Sequence, residues 1–195
     1  MDTIVVATQN SGKLREFGRL LSSTGWQVIG LRDLSIDIEY EEAGSSFGEN
    51  ARLKAISYSH ETRYPVLADD SGLEVAALGG RPGIYSARYA GIGASDSDRI
   101  SKLLQEMEQC GGGREARFVC ALALARDGVL LLEAQGECFG EIAHEPRGTN
   151  GFGYDPIFLF AELGKTFAEL TDSEKNLYSH RARAAHSLMT KMKSW

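Results

Sequence analysis

Apolar and polar positions divide the chain into short buried runs and longer amphipathic stretches. Residues 4–7 form a compact apolar run and read as a buried first strand. Residues 8–13 are a polar turn, after which Leu14, Phe17, Leu20 and Leu21 recur at helical spacing to about residue 21. Residues 26–29 read as a second strand. Ser46 followed by Glu49 makes a capping box, which opens a helix to about residue 61. Pro65 then precedes a strand over residues 66–68, and residues 79–83 make a long glycine-rich turn. Residues 95–108 are helical, with Ile100, Leu103, Leu104 and Met107 on one face. The Gly111–Gly113 run reads as a disordered loop. Residues 116–125 and 129–139 flank Asp127-Gly128, a dipeptide suited to a tight hairpin. A second capping box, Thr171 with Glu174, starts a C-terminal helix to about residue 192. Strand, loop, helix and strand in this order predict an α/β fold. No repeat or linker interrupts it, so residues 1–195 are expected to be one domain, with two lobes.

Composition narrows the class. The chain is 43% hydrophobic and 25% charged, the profile of an ordinary globular protein. No apolar stretch approaches the ~18 residues of a membrane span. The first residues read as a strand, not a signal peptide. The three cysteines, Cys110, Cys120 and Cys138, form no C-x-x-C pattern and suit a reducing compartment, so a cytoplasmic location is expected. A net charge of −6 argues against a broad nucleic-acid surface but leaves room for a small anionic substrate.

Several segments carry candidate chemistry. Residues 8–13 lie between a strand and a helix, where the helix dipole favours an anion and Lys13 adds a full charge. They are not a P-loop: Ala7 stands where that motif needs glycine, and Leu14 where it needs serine or threonine. Glu41 and Glu42 precede a helix N-terminus, and Asn50 and Lys54 share one helix face; both pairs also suit a solvated surface. Asp69 and Asp70 end an apolar run. Buried there, they need a partner, such as Mg²⁺ with its preference for hard oxygen ligands, or they form a turn with Ser71 and Gly72. Residues 151–158 are dense in glycine and aromatics, as a base-stacking platform or a turn into a core strand. For Lys175, His180 and Arg181 to act together, the last helix must break between Asn176 and Ser179. These are the parts of a nucleoside triphosphate site.

Six motifs then resemble one family closely and in order. They are Thr8-x-Asn10-x-x-Lys13, Glu41-Glu-x-Gly44-x-x-Phe47-x-Glu49-Asn50-Ala51, Ala68-Asp-Asp-Ser-Gly72, Gly79-Gly-x-Pro-Gly-Ile-Tyr-Ser-Ala-Arg88, Gly151-Phe-Gly-Tyr-Asp-Pro156 and Ser179-His-Arg181. They resemble the signatures of the inosine triphosphate pyrophosphatases, which hydrolyse dITP, ITP and XTP to the monophosphate and pyrophosphate. The resemblance implies an elongated α/β fold with a long mixed sheet flanked by helices, two lobes around a central active-site cleft, and a homodimer. It implies that Thr8, Asn10, Lys13 and Lys54 hold the triphosphate and that Glu42 and Asp70 work with Mg²⁺. Phe152 would stack on the purine in the Phe152-Gly153-Tyr154-Asp155 segment, with Asp155, Lys175, His180 and Arg181 around base and sugar. Ser71 and Gly72 would shape a loop beside the metal. Asp70 is the candidate to orient or deprotonate the attacking water, and Arg181 or a backbone N–H to donate to a 6-oxo group. Asp69 is expected to brace the turn or to bind a partner outside the metal shell. A hydrolase of another nucleotide class and a non-catalytic binding module stay open on the residues alone. Residues 152–155 and 179–181 argue for a purine, and the acids Glu42 and Asp70 for catalysis. No nucleic-acid or membrane partner is expected.

Overall fold

The computed structural model describes residues 2–40 and 43–193. Seven strands form one mixed sheet: β1 (Thr3–Val6), β2 (Gln27–Gly30), β3 (Val66–Val75), β4 (Glu115–Arg126), β5 (Val129–Ile142), β6 (Phe158–Phe160) and β7 (Lys165–Thr166). Their order is β2-β1-β3-β4-β5-β6-β7. The helices are α1 (Ser11–Leu20), α2 (Phe47–Ser59), α3 (Asp96–Cys110), α4 (Asp172–Tyr178) and α5 (His180–Met192). The α/β expectation therefore holds.

β1 pairs parallel with β2 and with β3, placing Val5 opposite Val66 and Val6 opposite Leu67. Ile4, Val5 and Val6 are all buried. A parallel strand covered on both faces has no solvated side, which is why its sequence reads as an unbroken apolar run. β5, β6 and β7 pair antiparallel. Between β4 and β5, Asp127 (φ 50°) and Gly128 (φ 77°) both take left-handed conformations, as a type I′ hairpin turn requires.

Two elements correct the sequence reading. The strand expected over residues 66–68 continues as β3 to Val75, through Asp69, Asp70, Ser71 and Gly72. There is no turn or loop at the aspartates: each carboxylate has partners, so their polarity does not end the strand. The C-terminal segment is two helices, because Ser179 between α4 and α5 is extended (φ −65°, ψ 156°). That break is the one a joint role for Lys175, His180 and Arg181 demands. β6 and β7, of three and two residues, are too short to show a period.

The chain folds as two compact units. The first takes in the chain up to Asp70, Cys120–Gly136 and the chain from His180 on. Its core includes Ile4, Val6, Phe17, Leu67, Leu122 and Leu188. The second takes in Ser71–Val119 and Glu137–Ser179. Its core includes an aromatic group, with ring centroids 4.4 Å apart for Phe118 and Phe158 and 4.8 Å for Phe158 and Phe167.

In the first unit, β5 meets the first turns of α5 at Gly136. A Cβ there would lie 2.3 Å from both the Ala184 amide nitrogen and the His180 carbonyl oxygen. Both are backbone atoms and cannot rotate away. Gly136→Ala is expected to displace the start of α5 and destabilise the fold by about 1–3 kcal/mol, the usual range for overpacking. A denaturant midpoint equal to wild type would refute this close approach.

Candidate active site

The first unit gathers Thr8, Asn10, Lys13, Lys54, Asp70, His180 and Arg181. Asn10 is the N-cap of α1. Its Oδ1 accepts from the backbone N–H of Gly12 (2.8 Å) and Lys13 (3.1 Å), while Thr8 Oγ1 accepts from Asn10 N–H (3.1 Å). Two amides of the expected anion site thus point at Asn10. This commits Oδ1 to the helix N-terminus and identifies the other edge of the amide as the NH₂ group, a pure donor.

Lys13 projects from the first turn of α1 and forms an ion pair with Asp69 Oδ1. Asp69 Oδ2 accepts from the Cys120 thiol (3.3 Å) and lies 3.5 Å from Arg181 Nε. Arg181 Nη1 in turn donates to Glu16 Oε2 at 3.0 Å. All five side chains belong to the first unit, and their charges alternate in sign from Lys13 to Glu16. Burial alone would push the Asp69 carboxyl up; Lys13 and Arg181 more than offset it and hold it well below the usual carboxylate range. Burial and the neighbouring Asp69 push the Cys120 thiol well up, so it serves as a protonated donor.

Asp70, one residue on, is 6% exposed and meets α2. Asn50, on α2, donates from Nδ2 to Asp70 Oδ2 (2.9 Å) and accepts at Oδ1 from Gly44 N–H (2.8 Å). A Cβ on Gly44 would come within 2.6 Å of Asn50 Oδ1, so glycine is the residue this approach admits. Lys54 lies one helical turn beyond Asn50. Glu42, the other expected metal ligand, lies outside the described residues. Ser71 follows Asp70 in β3 and is half-buried. His180 is 1% exposed at the start of α5.

The second unit holds the aromatic set. Gly151 (φ 75°) and Gly153 (φ 63°) bend the backbone around Phe152. Asp155 Oδ2 accepts from Phe152 N–H (2.8 Å) and from Lys175 Nζ (2.5 Å), and Lys175 Nζ lies over the Phe152 ring, 4.8 Å from its centroid. Asp96 Oδ2 accepts from Gly153 N–H (2.7 Å) and the Tyr154 hydroxyl donates to the Ser86 carbonyl (2.9 Å). The loop is therefore pinned at three successive residues. Lys175 belongs here with Phe152 and Asp155, whereas Arg181 belongs with Lys13 in the first unit.

The Ham1 family model matches residues 4–191. The chain belongs to the Ham1 family. Among its relatives, a dITP/XTP pyrophosphatase of Gloeobacter violaceus is 51% identical, covering 97% of this chain and 94% of that protein. A solved HAM1 protein from Coxiella burnetii superposes with a TM-score of 0.89 at 45% identity, covering 100% of both chains. The Staphylococcus aureus Ham1 protein gives 0.86 at 42%, covering 99% of each. The resemblance read from the six motifs is thereby borne out.

Within this Ham1 chain the sequence reading overlooked three residues. Asn50, which with Lys54 suits a solvated surface on sequence alone, is 1% exposed and donates to Asp70. Glu16 follows Lys13 by three residues on the face of α1 that holds the buried Phe17, a position where an acid needs a cation. Cys120 gave no signal, since a thiol in an apolar strand reads as core.

The Asp155–Lys175 pair is buried on both sides, at 3% and 4% side-chain exposure. Asp155→Ala leaves Lys175 buried without its carboxylate and is expected to cost about 3–5 kcal/mol. The double variant Asp155→Ala/Lys175→Met should lose less, because no charge is stranded. Equal losses in chemical denaturation would show that the ion pair is not what matters there.

Proposed function

We propose that this chain hydrolyses dITP, ITP and XTP to the nucleoside monophosphate and pyrophosphate. The observation that supports this most is the near-full-length match to relatives named dITP/XTP pyrophosphatase, with a pinned aromatic loop and a lysine-bearing turn at the start of α1. In this reading Thr8, Asn10, Lys13 and Lys54 receive the triphosphate, and Phe152 stacks on the base.

Rejection of adenine follows from Lys175. An ammonium has three donors and no acceptor, so beside Phe152 it suits the 6-oxo group of hypoxanthine or xanthine and opposes the 6-amino group of adenine. A site built around such a bond can discriminate by about 10⁴-fold or more, because the wrong base leaves a buried donor unpaired.

Asp70 orients the water and accepts its proton as the oxygen bonds to the α-phosphorus. The bond from that phosphorus to the bridging oxygen breaks, and pyrophosphate leaves with the electron pair. Lys13 and Lys54 offset the charge that gathers on the phosphates. The donors fit Mg²⁺, which takes one or two carboxylates and completes its shell with water and phosphate oxygens. Among the described residues no group of three or more His, Cys, Asp or Glu side chains is assembled, and Asp70 offers a hard oxygen donor. Asp70 and Glu42 would hold the ion, which when bound neutralises phosphate charge. No helix of the described residues is long and apolar enough to cross a membrane. A cytoplasmic homodimer completes the proposal.

Pyrophosphate release measured across ITP, dITP, XTP, GTP and ATP, with Mg²⁺ and with a chelator, tests this directly. Turnover of the first three, slow turnover of the others and loss in chelator are expected; equal rates on all five would refute it. Asp70→Asn is expected to lower kcat by about 10²–10⁴-fold, the usual worth of a general base, with little change in KM. Near-wild-type kcat would remove Asp70 from its role.

A further inference from the structure

We propose that Asp69 is a positioning residue for the triphosphate site, holding the Lys13 ammonium in its binding orientation and tied in turn by Cys120 and Arg181. This rests on the pyrophosphatase reading and assigns a purpose to a carboxylate that the reaction does not use.

Both oxygens of Asp69 are engaged within the protein: Oδ1 by Lys13, Oδ2 by the Cys120 thiol at 3.3 Å and by Arg181 Nε at 3.5 Å. Its side chain is 0% exposed, so water does not reach it. Successive side chains on a strand point to opposite faces. Asp70 meets Asn50 of α2, whereas Asp69 meets Lys13 of α1 and Arg181 of α5. Both Asp69 oxygens are therefore met by groups of α1, β4 and α5.

What the arrangement controls is Lys13. Of the four charged groups from Lys13 to Glu16, Lys13 has the most exposed side chain, 17% against 0%, 6% and 10%. Its stem is a flexible chain that would otherwise sample many rotamers. Asp69 takes one ammonium donor and leaves the others to point out of the network. The rotamer entropy of Lys13 is thus spent in folding and not on binding. Arg181 is fixed from both sides, by Asp69 and by Glu16, so it cannot swing over to replace Lys13 at Oδ1. The Cys120 thiol, from β4, donates to Oδ2 and ties the carboxylate to the sheet.

A pure counter-charge and a positioning group predict opposite signs. Removing a negative charge beside a phosphate site raises the local positive potential and by Coulomb's law tightens anion binding. Removing a positioning group loosens the lysine and weakens it. Asp69→Asn, of equal size, separates the two. We expect its KM for ITP to rise about tenfold with a smaller fall in kcat, because Lys13 meets phosphate charge both in the bound substrate and as charge develops. Its affinity for inorganic pyrophosphate, measured by calorimetry, should fall by a similar factor. Tighter or unchanged pyrophosphate binding would overturn the proposal, as would a kcat loss at constant KM.

If Asp69→Asn does not fold, the Cys120 variants decide. Cys120→Ala deletes one donor to Asp69 and is expected to raise KM by about threefold, a weak hydrogen bond's worth. Cys120→Ser restores a donor and should recover most of that loss. A folded Cys120→Ala with wild-type KM and pyrophosphate affinity would sink the idea, as would a serine variant no better than alanine. These outcomes stand apart from failure of the pyrophosphatase reading, which would show as absent turnover in the unmutated chain.

Discussion

Burying a carboxylate inside β3 sets conditions for the whole first unit. An isolated anion in an apolar interior is too costly to persist, so cations must be delivered to Asp69 from elsewhere in the chain. α1 supplies Lys13 and α5 supplies Arg181, and the second cation then needs its own anion, Glu16. The four charges cancel. Such a chain does not guarantee stability, since well-packed apolar residues often do as well. What it provides is position: a helix that must bring an ammonium to one oxygen of one strand residue has little freedom to rotate or slide. The close approach of α5 to β5 at Gly136 works in the same sense, because it holds the backbone that carries His180 and Arg181.

The second unit applies the same economy on a smaller scale. Asp155 uses one oxygen twice, for the Phe152 amide and for the Lys175 ammonium. The loop conformation and the place of the cation are thus one decision. Asp96 and the Ser86 carbonyl fix the next two residues from other segments, so Phe152 is presented by a backbone with little slack. In both units a buried carboxylate orients a lysine, and in both that lysine is the residue assigned to the ligand. Preorganised cations cost no rearrangement when charge arrives or develops, which is where electrostatic stabilisation gains most.

The features legible in the sequence are those set by local chemistry. Asp127-Gly128 admits left-handed conformations, and the hairpin follows. Ser46 can cap, accepting from the Glu49 N–H, and α2 starts after it. Thr171 with Glu174 starts α4 for the same reason. The features that were not legible depend on distant partners. The extent of β3 through Asp69 and Asp70 could not be read, because their partners come from residues as far off as Arg181. Glu16 looks like one more acid on a helix until Arg181, 165 positions away, is folded against it. Asn50 looks solvated until Gly44 and Asp70 close on it from either side. A motif names such residues without saying what they touch.

The adjacency of Asp69 and Asp70 is then a consequence of strand geometry. Neighbouring strand residues face opposite ways, so one residue is the shortest separation that puts one carboxylate before α1 and α5 and another before Asn50 of α2. The arrangement is strict, because a slip of one residue in pairing exchanges the faces. It would turn Asp70 toward Lys13 and Arg181, and Asp69 toward Asn50. The pairing of Val5 with Val66 and Val6 with Leu67 prevents this. Leu67 shares a face with Asp69 and packs into the core with Phe17 and Leu188, so its burial fixes which aspartate meets the cations. The apolar residues just before the acids therefore decide which of them meets Lys13 and Arg181 and which meets Asn50.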